Sequence, residues 1–400
     1  MEKLLMLAHR IPYPPNKGDK IRSYHLLQHL ARHYQVHLGT FVDDSDDWRH
    51  VPRVRELCAG SHFAPLNPAW ARLRSLGALL ANRSLSLDYY RDAGLRAWVA
   101  ATMQREGIGR ILVFSSAMAQ YAAPYPQARR VVDFVDVDSD KWRQYAAKTD
   151  WPLKLLYGHE ARQLLAYERR VTRDSDAALF VSAPEAQLFR QLAPESAAKI
   201  GHFSNGVDCD YFSPVQAQAR PFGAAEEALV FTGAMDYWPN IDAVGWFART
   251  VLPGVRAHHP GAVFHIVGAR PTPAVLELAT LPGVVVAGAV ADMRPYLGHA
   301  ALCVAPLRIA RGIQNKVLEA MAMGRTIVVS PQALEGIAAT PGRELLLADG
   351  AAQFVDAVAQ ALRRPDPAIG RAARARVEEQ YAWASHLAPL RAMLEPECAP

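Results

Sequence analysis

The residues best suited to chemistry are gathered between positions 306 and 324, where cations, a glycine and a carboxylate follow one another closely. They are Arg308, Arg311, Gly312, Lys316 and Glu319. An apolar run at 302–305 predicts a strand before them, and 317–323 predicts a helix that ends at Gly324. Loop N–H groups and the positive end of a helix dipole attract anions, so this order of elements predicts a phosphate-binding site.

The residue types in this stretch suit a nucleotide diphosphate. Positive charge for the diphosphate would come from three side chains, Arg308, Arg311 and Lys316. Gly312 and Ile313 would add backbone contacts, and Glu319, on the same helix face as Lys316, would accept hydrogen bonds from ribose hydroxyls. The alternative is a surface loop with solvated charges, which is the common situation for exposed charge.

Two loops of the first half are further candidates. A Gly-containing turn opens a helix after the first strand, and it carries Gly18, Asp19, Lys20 and Arg22. Carboxylates follow a later strand at 133–140, and Asp136 among them is placed in the site because carboxylates can bind hydroxyls, hold a metal or act as a base. The alternatives are a plain βα turn for the first loop and helix capping for the second.

The stretch around Glu319 resembles the donor site of family 4 glycosyltransferases. In that family a Glu, seven residues and a second Glu precede Ala-Met-Ala-x-Gly-x-Pro-Val-Val. Here Glu319 is the second Glu, 320–328 reads AMAMGRTIV, and Arg311 holds the position of the first Glu. The runs 132–142 and 231–237 resemble a subgroup of sugar transferases associated with bacterial exopolysaccharide and PEP-CTERM/exosortase loci.

The resemblance implies an α/β protein of the GT-B fold, in which two Rossmann-like domains face each other across a cleft. It implies a retaining glycosyltransferase (hexosyltransferase-type, EC 2.4 class) that takes a nucleotide-sugar donor and a glycan or polyprenyl-linked acceptor in exopolysaccharide biosynthesis. The nucleotide-sugar is a substrate, so no cofactor and no metal is expected. Catalysis is assigned to Asp136, Arg311, Lys316 and Glu319.

The resemblance also assigns roles in three other loops. The family's first-strand loop lies at the acceptor, which places Gly18, Asp19, Lys20 and Arg22 on the acceptor side. Gly233 keeps its place in a donor loop where a side chain would obstruct the cleft, and the backbone of Val290 resembles the base-binding turn. The alternative at 231–240 is an ordinary strand–loop–helix connection capped by Asn240.

Two other functions stay open. A nucleotide-sugar epimerase shares the fold and needs no acceptor. A non-catalytic nucleotide-sugar-binding subunit is suggested by Arg311 at the first-Glu position and by the absence, near Gly233, of the Arg and Lys that the family usually carries there.

Alternating β-branched and amphipathic runs predict βα units and parallel sheets in both halves. The predicted strands are 4–8, 35–41, 111–114, 130–135, 178–181, 229–232, 263–267, 284–287, 302–305, 327–330 and 345–347. The predicted helices are 20–32, 95–105, 155–173, 242–250 and 317–323. We expect an acceptor-side domain at 1–200, a linker region at 201–227, a nucleotide-sugar-binding domain at 228–370, and a last helix at 371–400 returning toward the first domain.

Composition narrows the class of protein. A chain of 400 residues is too long for one ordinary core. The net charge of +5 suits an anionic donor. The sequence has no Lys/Arg-rich helix interleaved with aromatic residues, and this argues against nucleic acid as a partner. The four cysteines are far apart with no CxxC pair, which fits a reducing cytoplasm. Basic and aromatic residues are mixed in the stretches 69–83 and 141–173. Such stretches are either helices whose apolar side faces the core or amphipathic helices that contact the inner face of an anionic membrane.

Overall fold

The computed structural model describes residues 1–15, 17–215, 219–310 and 313–395. The chain forms two compact units. The first contains Met1–Ser204 together with the described residues from Leu387 on, and the second contains Asn205–His386. The boundaries predicted at residues 200, 227 and 370 stay predictions.

A parallel sheet forms the centre of the first unit. Its strands, within the described residues, are β1 (Glu2–Ala8), β2 (Tyr34–Val42), β3 (Gly60–Pro65), β4 (Arg110–Phe114), β5 (Arg129–Val135), β6 (Ala177–Phe180) and β7 (Ile200–His202). They lie in the order β3-β2-β1-β4-β5-β6-β7. Leu5, Val113 and Val132 are buried in neighbouring strands, as expected where helices cover both faces of a parallel sheet.

The helices of the first unit connect these strands. They are α1 (Gly18–Ala31), α2 (Val51–Arg55), α3 (Pro68–Ser75), α4 (Gly77–Leu80), α5 (Leu85–Tyr89), α6 (Ala93–Glu106), α7 (Ala119–Ala122), α8 (Asp138–Lys148), α9 (Leu153–Asp174) and α10 (Ala183–Leu192). Asp92 caps α6 by accepting from the Leu95 N–H, and Gly107 ends it in the left-handed region.

The second unit repeats the architecture with its own core. Its strands, within the described residues, are β8 (Glu227–Thr232), β9 (Ala262–Val267), β10 (Val284–Gly288), β11 (Leu302–Ala305), β12 (Ile327–Val329) and β13 (Leu346–Leu347). They are parallel, in the order β10-β9-β8-β11-β12-β13. The prediction of two Rossmann-like parallel-sheet domains is therefore confirmed.

The helices of the second unit follow the same alternation. They are α11 (Trp238–Trp246), α12 (Leu252–His258), α13 (Pro273–Leu276), α14 (Arg294–His299), α15 (Asn315–Ala322), α16 (Pro331–Leu334), α17 (Gly350–Arg363) and α18 (Pro367–Gln380). The predicted stop of α15 is confirmed, because Gly324 lies just beyond it with a φ of 63°.

The last helical stretch, predicted as one helix at 371–400, is divided. Helix α18 ends at Gln380, and α19 (Trp383–Leu394) follows after a two-residue break. The end of α19 is bonded within the first unit, where Arg129 Nε donates to the Met393 carbonyl over 2.6 Å. Arg110 also forms an ion pair of 2.9 Å with Glu395. None of the helices in the described ranges is long and apolar enough to cross a membrane.

Candidate functional site

The predicted donor site lies in the second unit, between the end of β11 and the start of α15. Arg311 and Gly312 fall outside the described residues, so their predicted roles are not addressed by the structure. Lys316 and Glu319 lie on the first turns of α15 and are both partly buried. Ile313, just before the helix, packs against the core of this unit.

Lys316 is held by side chains from β8 and α11. Its Nζ donates a 2.5 Å hydrogen bond to the Asn240 side-chain oxygen and lies 4.6 Å from the centre of the Phe231 ring. The Asn240 amide in turn donates to the Ala234 carbonyl over 2.8 Å. Burial lowers the pKa of Lys316 to about 8, although the charge of Glu319 acts in the opposite direction. A cation with spare N–H donors is therefore fixed at this point.

Glu319 is the carboxylate that accompanies this cation. Burial raises its pKa to about 7, and the attraction of Lys316 offsets only part of that rise. No hydrogen-bond donor among the described residues reaches its carboxylate oxygens. The pair can thus offer a cation for a phosphate and a carboxylate acceptor for hydroxyls.

Gly233 lies where the end of β8 meets this pair. A Cβ placed on Gly233 would come within 2.7 Å of the Asn240 amide nitrogen and 3.4 Å of Lys316 Nζ. Gly268, at the end of β9, is equally constrained, since its Cβ would lie 1.6 Å from the Gly233 carbonyl oxygen. At Gly268 the obstacle is backbone, which leaves room for glycine alone, whereas at Gly233 it is the side chains of Asn240 and Lys316, which a larger residue would displace.

The other predicted donor residues are placed differently. Arg308 is 52% exposed and forms an ion pair with Asp242 of α11, with Nε 2.9 Å from Oδ2. The sequence predicts this charge to be free for a diphosphate, and the structure shows it already paired. Val290 follows β10 and packs against the core of the second unit. The neighbouring Asp292 accepts from the Arg294 N–H over 2.9 Å, as a cap does.

In the first unit, the ends of β1 and β2 bring together a set of charged residues. Asp19 lies 2.8 Å from Arg10 and 3.4 Å from His9, and Arg10 also bonds Asp43 over 2.9 Å. Burial disfavours the charge of Asp19, but the hydrogen bond from His9 and the charge of Arg10 outweigh it and hold the pKa well below its usual range. His9 stacks on Phe114 with the ring centres 5.7 Å apart.

Lys20 and Arg22, predicted on the acceptor side, have their side chains inside the first unit. Lys20 is 2% exposed and bonds Asp47 over 2.5 Å. Arg22 is 0% exposed and bonds Asp133 over 2.7 Å. This corrects the prediction from sequence, because a fully buried and paired guanidinium has no surface with which to contact an acceptor. Gly18 is exposed at the start of α1, where an added Cβ would meet none of the described atoms within 4 Å.

Asp136 follows β5, where the backbone is unusual. Val135 has a φ of 70°, which is a rare conformation for a β-branched residue and orients the chain into the loop. The Asp136 carboxylate accepts from Lys141 over 2.7 Å, and Lys141 also reaches Asp138 over 3.2 Å. The Asp136 side chain is about one-third exposed, and it forms an ion pair with Lys141.

Sequence reasoning misses His9, Arg10, Asp43 and Asn240 as parts of these sites. From sequence, Asn240 is interpreted only as a helix cap. A signal exists for the first three, since they directly follow β1 and β2, and ligands of open parallel sheets bind beyond the carboxyl ends of strands. Over the described ranges, no group of three or more His, Cys, Asp or Glu side chains is arranged to hold a metal ion.

One protein family matches part of the chain. Residues 226–364 match the family described as glycosyl transferases group 1. Comparison with curated proteins finds no match to the sequence.

Solved structures match over nearly the whole chain. Sucrose-phosphate synthase from Thermosynechococcus elongatus is similar with a TM-score of 0.66 and 18% identity over 98% of each chain. HepE from Anabaena, solved in complex with UDP, has a TM-score of 0.64 and 15% identity over 98% of this chain and 99% of that one. WaaG, a glycosyltransferase involved in lipopolysaccharide biosynthesis, has a TM-score of 0.63 and 14% identity over 98% of each. At these identities the likeness establishes the GT-B fold, and the family match assigns residues 226–364 to a glycosyl transferases group 1 domain.

Proposed function

We propose that this protein is a glycosyltransferase that moves a sugar from a nucleotide-diphosphate donor to a glycan or lipid-linked acceptor, with retention of configuration, in the building of a bacterial exopolysaccharide. The observation that carries the proposal is the partly buried pair of Lys316 and Glu319 beside Gly233. A departing nucleoside diphosphate needs a cation, and its ribose needs a hydrogen-bond acceptor. HepE, of the same fold, was solved with UDP and with UDP-glucose.

Catalysis by these residues is mainly electrostatic. Lys316, oriented by Asn240, stabilises the negative charge that develops on the leaving diphosphate, where low solvent exposure strengthens the interaction. Glu319 holds the ribose, so that the sugar–phosphate bond is fixed relative to that cation. Asp136, directly after β5, and Asp19, in the first turn of α1, are the groups that we assign to acceptor hydroxyls. No metal or cofactor is needed in this scheme.

The donor is tested by titrating UDP-, GDP-, ADP- and CMP-sugars into wild type, Lys316→Met and Glu319→Gln. We expect one nucleotide to raise the melting temperature of wild type, and each variant to lose roughly tenfold or more in affinity. Arg363→Met, an exposed cation of α17, is the matched control and should bind as wild type does. Full affinity in the Lys316→Met, Glu319→Gln double variant would exclude this site.

Transfer itself requires a second measurement. Incubation of the preferred donor with candidate glycans and polyprenyl-linked acceptors should yield a linkage of the same anomeric configuration as the donor. Incubation without an acceptor should leave the donor sugar unchanged, whereas an epimer in that reaction would favour the epimerase alternative.

A membrane-linked acceptor is supported by exposed apolar residues on the first unit. Trp70, Leu80 and Trp151 are 70%, 96% and 77% exposed, and Arg72 and Arg74 lie with Trp70 on α3. Amphipathic basic segments of this kind bind anionic lipid surfaces.

Vesicle co-sedimentation tests this contact. The variant Leu80→Ser/Trp151→Ser should bind anionic vesicles several-fold less than wild type, because it removes apolar area from the lipid interface. Leu276→Ser removes an exposed apolar side chain of the second unit and should not change vesicle binding. Equal binding of wild type and the double variant would refute the contact.

A further inference from the structure

A cavity of about 360 Å³ lies within the first unit, and its lining includes none of the residues that the proposed function assigns to the donor or the acceptor. Its floor is the face of the sheet that carries Val113 of β4 and Val132 of β5, which are register partners and 0% and 1% exposed. Ala122 of α7 and Val171 of α9 form apolar walls. Ligand pockets in proteins have volumes of roughly 300–1,000 Å³ and mostly apolar linings, so this cavity has the size and character of a binding site.

Polar groups line the same cavity at its open side. Helix α9 contributes Gln163, Tyr167 and Arg170, spaced four and three residues apart and therefore on one helix face. Arg130, two residues before Val132 on β5, faces the same side of the sheet. The exposed residues Asn82 and Ala123 lie at the mouth.

Two of these groups have a buried polar atom that lacks a hydrogen-bond partner among the described residues. They are the Tyr167 hydroxyl and Arg130 Nε. Buried polar groups in proteins are almost always hydrogen-bonded, so two unsatisfied atoms on residues that line one cavity need an explanation. An oxygen-bearing ligand in the cavity would satisfy both.

The charges that line the cavity specify the ligand further. Arg130 and Arg170 form no ion pair with any carboxylate in the described part of the chain, and Arg170 lies 5.6 Å from the centre of the Tyr167 ring. Asp174, the acidic residue of the lining, is paired with Arg173 over 2.9 Å. The Arg130 guanidinium already donates to the Asp174 carbonyl, but neither arginine is neutralised by a carboxylate. Two cations without a carboxylate partner and a hydroxyl beside an apolar floor suit an anionic head on an apolar chain.

We propose that this cavity binds a single-chain amphiphile with a phosphate or similar anionic head. Its chain lies against Val113 and Val132, and its head lies between Arg130 and Arg170. A membrane is the favoured source, because Leu80, the most exposed apolar residue of this unit, lies two residues before Asn82 at the mouth. The inference does not depend on the proposed transferase function.

The proposal is tested by calorimetric titration of the full chain with decyl phosphate below its aggregation concentration. Decanol has the apolar chain without the phosphate, and inorganic phosphate has the anionic group without the chain. Each should bind at least about tenfold more weakly than decyl phosphate. Decyl phosphate carried in phosphatidylcholine vesicles is the second arm. Binding in both arms indicates that the protein takes the ligand from a membrane, and binding of free decyl phosphate alone indicates that it takes the ligand from solution. Either outcome supports the proposal that the cavity binds an anionic amphiphile.

Variants locate the binding. Ala123→Trp, at an exposed position of the mouth, should block decyl phosphate without disturbing the core. Arg170→Gln and Tyr167→Phe should each weaken it by about three- to tenfold. Arg162→Gln replaces an exposed arginine of α9 outside the cavity and should bind as wild type does. Absence of binding to wild type, or binding that Ala123→Trp and Arg170→Gln leave unchanged, would overturn the proposal.

Discussion

Lys316 Nζ donates a 2.5 Å hydrogen bond to the side-chain oxygen of Asn240, which joins α15 to α11. Asn240 is 4% exposed, and its amide nitrogen is bonded to the Ala234 carbonyl, so its oxygen is fixed toward the cation. The lysine is thereby held at a defined point beside Gly233 instead of moving freely in solvent. Donor affinity should therefore depend on Asn240, which need not touch the donor itself.

Replacement of Asn240 by Ala should weaken nucleotide-diphosphate binding by roughly tenfold, because a hydrogen bond to a charged group contributes about 1.5–3 kcal/mol and the lysine loses its orientation. Calorimetric titration with the preferred nucleotide measures this. Asn67→Ala removes the cap of α3 in the first unit and should lower stability without changing nucleotide affinity. Equal affinity of Asn240→Ala and wild type would show that Lys316 needs no positioning.

The sequence predicts most strands well because strands of parallel sheets are usually buried on both faces and appear as continuous apolar runs. It misses β3, whose sequence GSHFAP contains Gly and Pro, and β7, which has only three residues. The helix spacing correctly places Lys316 and Glu319 together. The ion pairs Arg308–Asp242 and Arg22–Asp133 join residues 66 and 111 positions apart, and such pairs depend on packing that no local pattern encodes.

The pH dependence of donor binding should be bell-shaped. Affinity should rise as pH increases through about 7, where Glu319 ionises, and fall as pH increases through about 8, where Lys316 loses its proton. The two apparent pKa values belong to the coupled pair. Glu319→Gln should remove the acid limb and Lys316→Arg the alkaline limb, since arginine stays protonated. A flat profile between pH 6 and 9 in wild type would contradict this assignment.

Gly233→Ala should lose donor binding almost completely. The added Cβ would lie 2.7 Å from the Asn240 amide nitrogen and 3.4 Å from Lys316 Nζ, so it would displace the hydrogen-bonded pair. Gly109→Ala is the matched control, because a Cβ there meets none of the described atoms within 4 Å. Nucleotide titration together with denaturant unfolding distinguishes loss of the site from loss of the fold. A Gly233→Ala protein that is folded and binds normally would refute the close approach.

The buried ion pair of Arg22 and Asp133 should be required for the stability of the first unit. Arg22→Met leaves the Asp133 carboxylate buried without its partner, which typically costs about 3–5 kcal/mol. The double variant Arg22→Met/Asp133→Leu removes both charges and should recover much of that loss. Urea unfolding of the three proteins provides the free energies. A loss below about 1 kcal/mol in Arg22→Met would mean that the pair contributes little.

Glu168 should make the stability of wild type decrease as pH rises. This fully buried residue accepts a hydrogen bond from the Ser139 hydroxyl, and burial raises its pKa from 4.5 to about 8. Between those values the folded protein holds a proton that the unfolded chain has released, so the unfolded state gains relative stability with increasing pH. Glu168→Gln stays neutral and should be more stable than wild type by roughly 2–4 kcal/mol above pH 8, with little difference at pH 4.5. Parallel curves of unfolding free energy against pH for the two proteins would show that folding does not raise the pKa of Glu168.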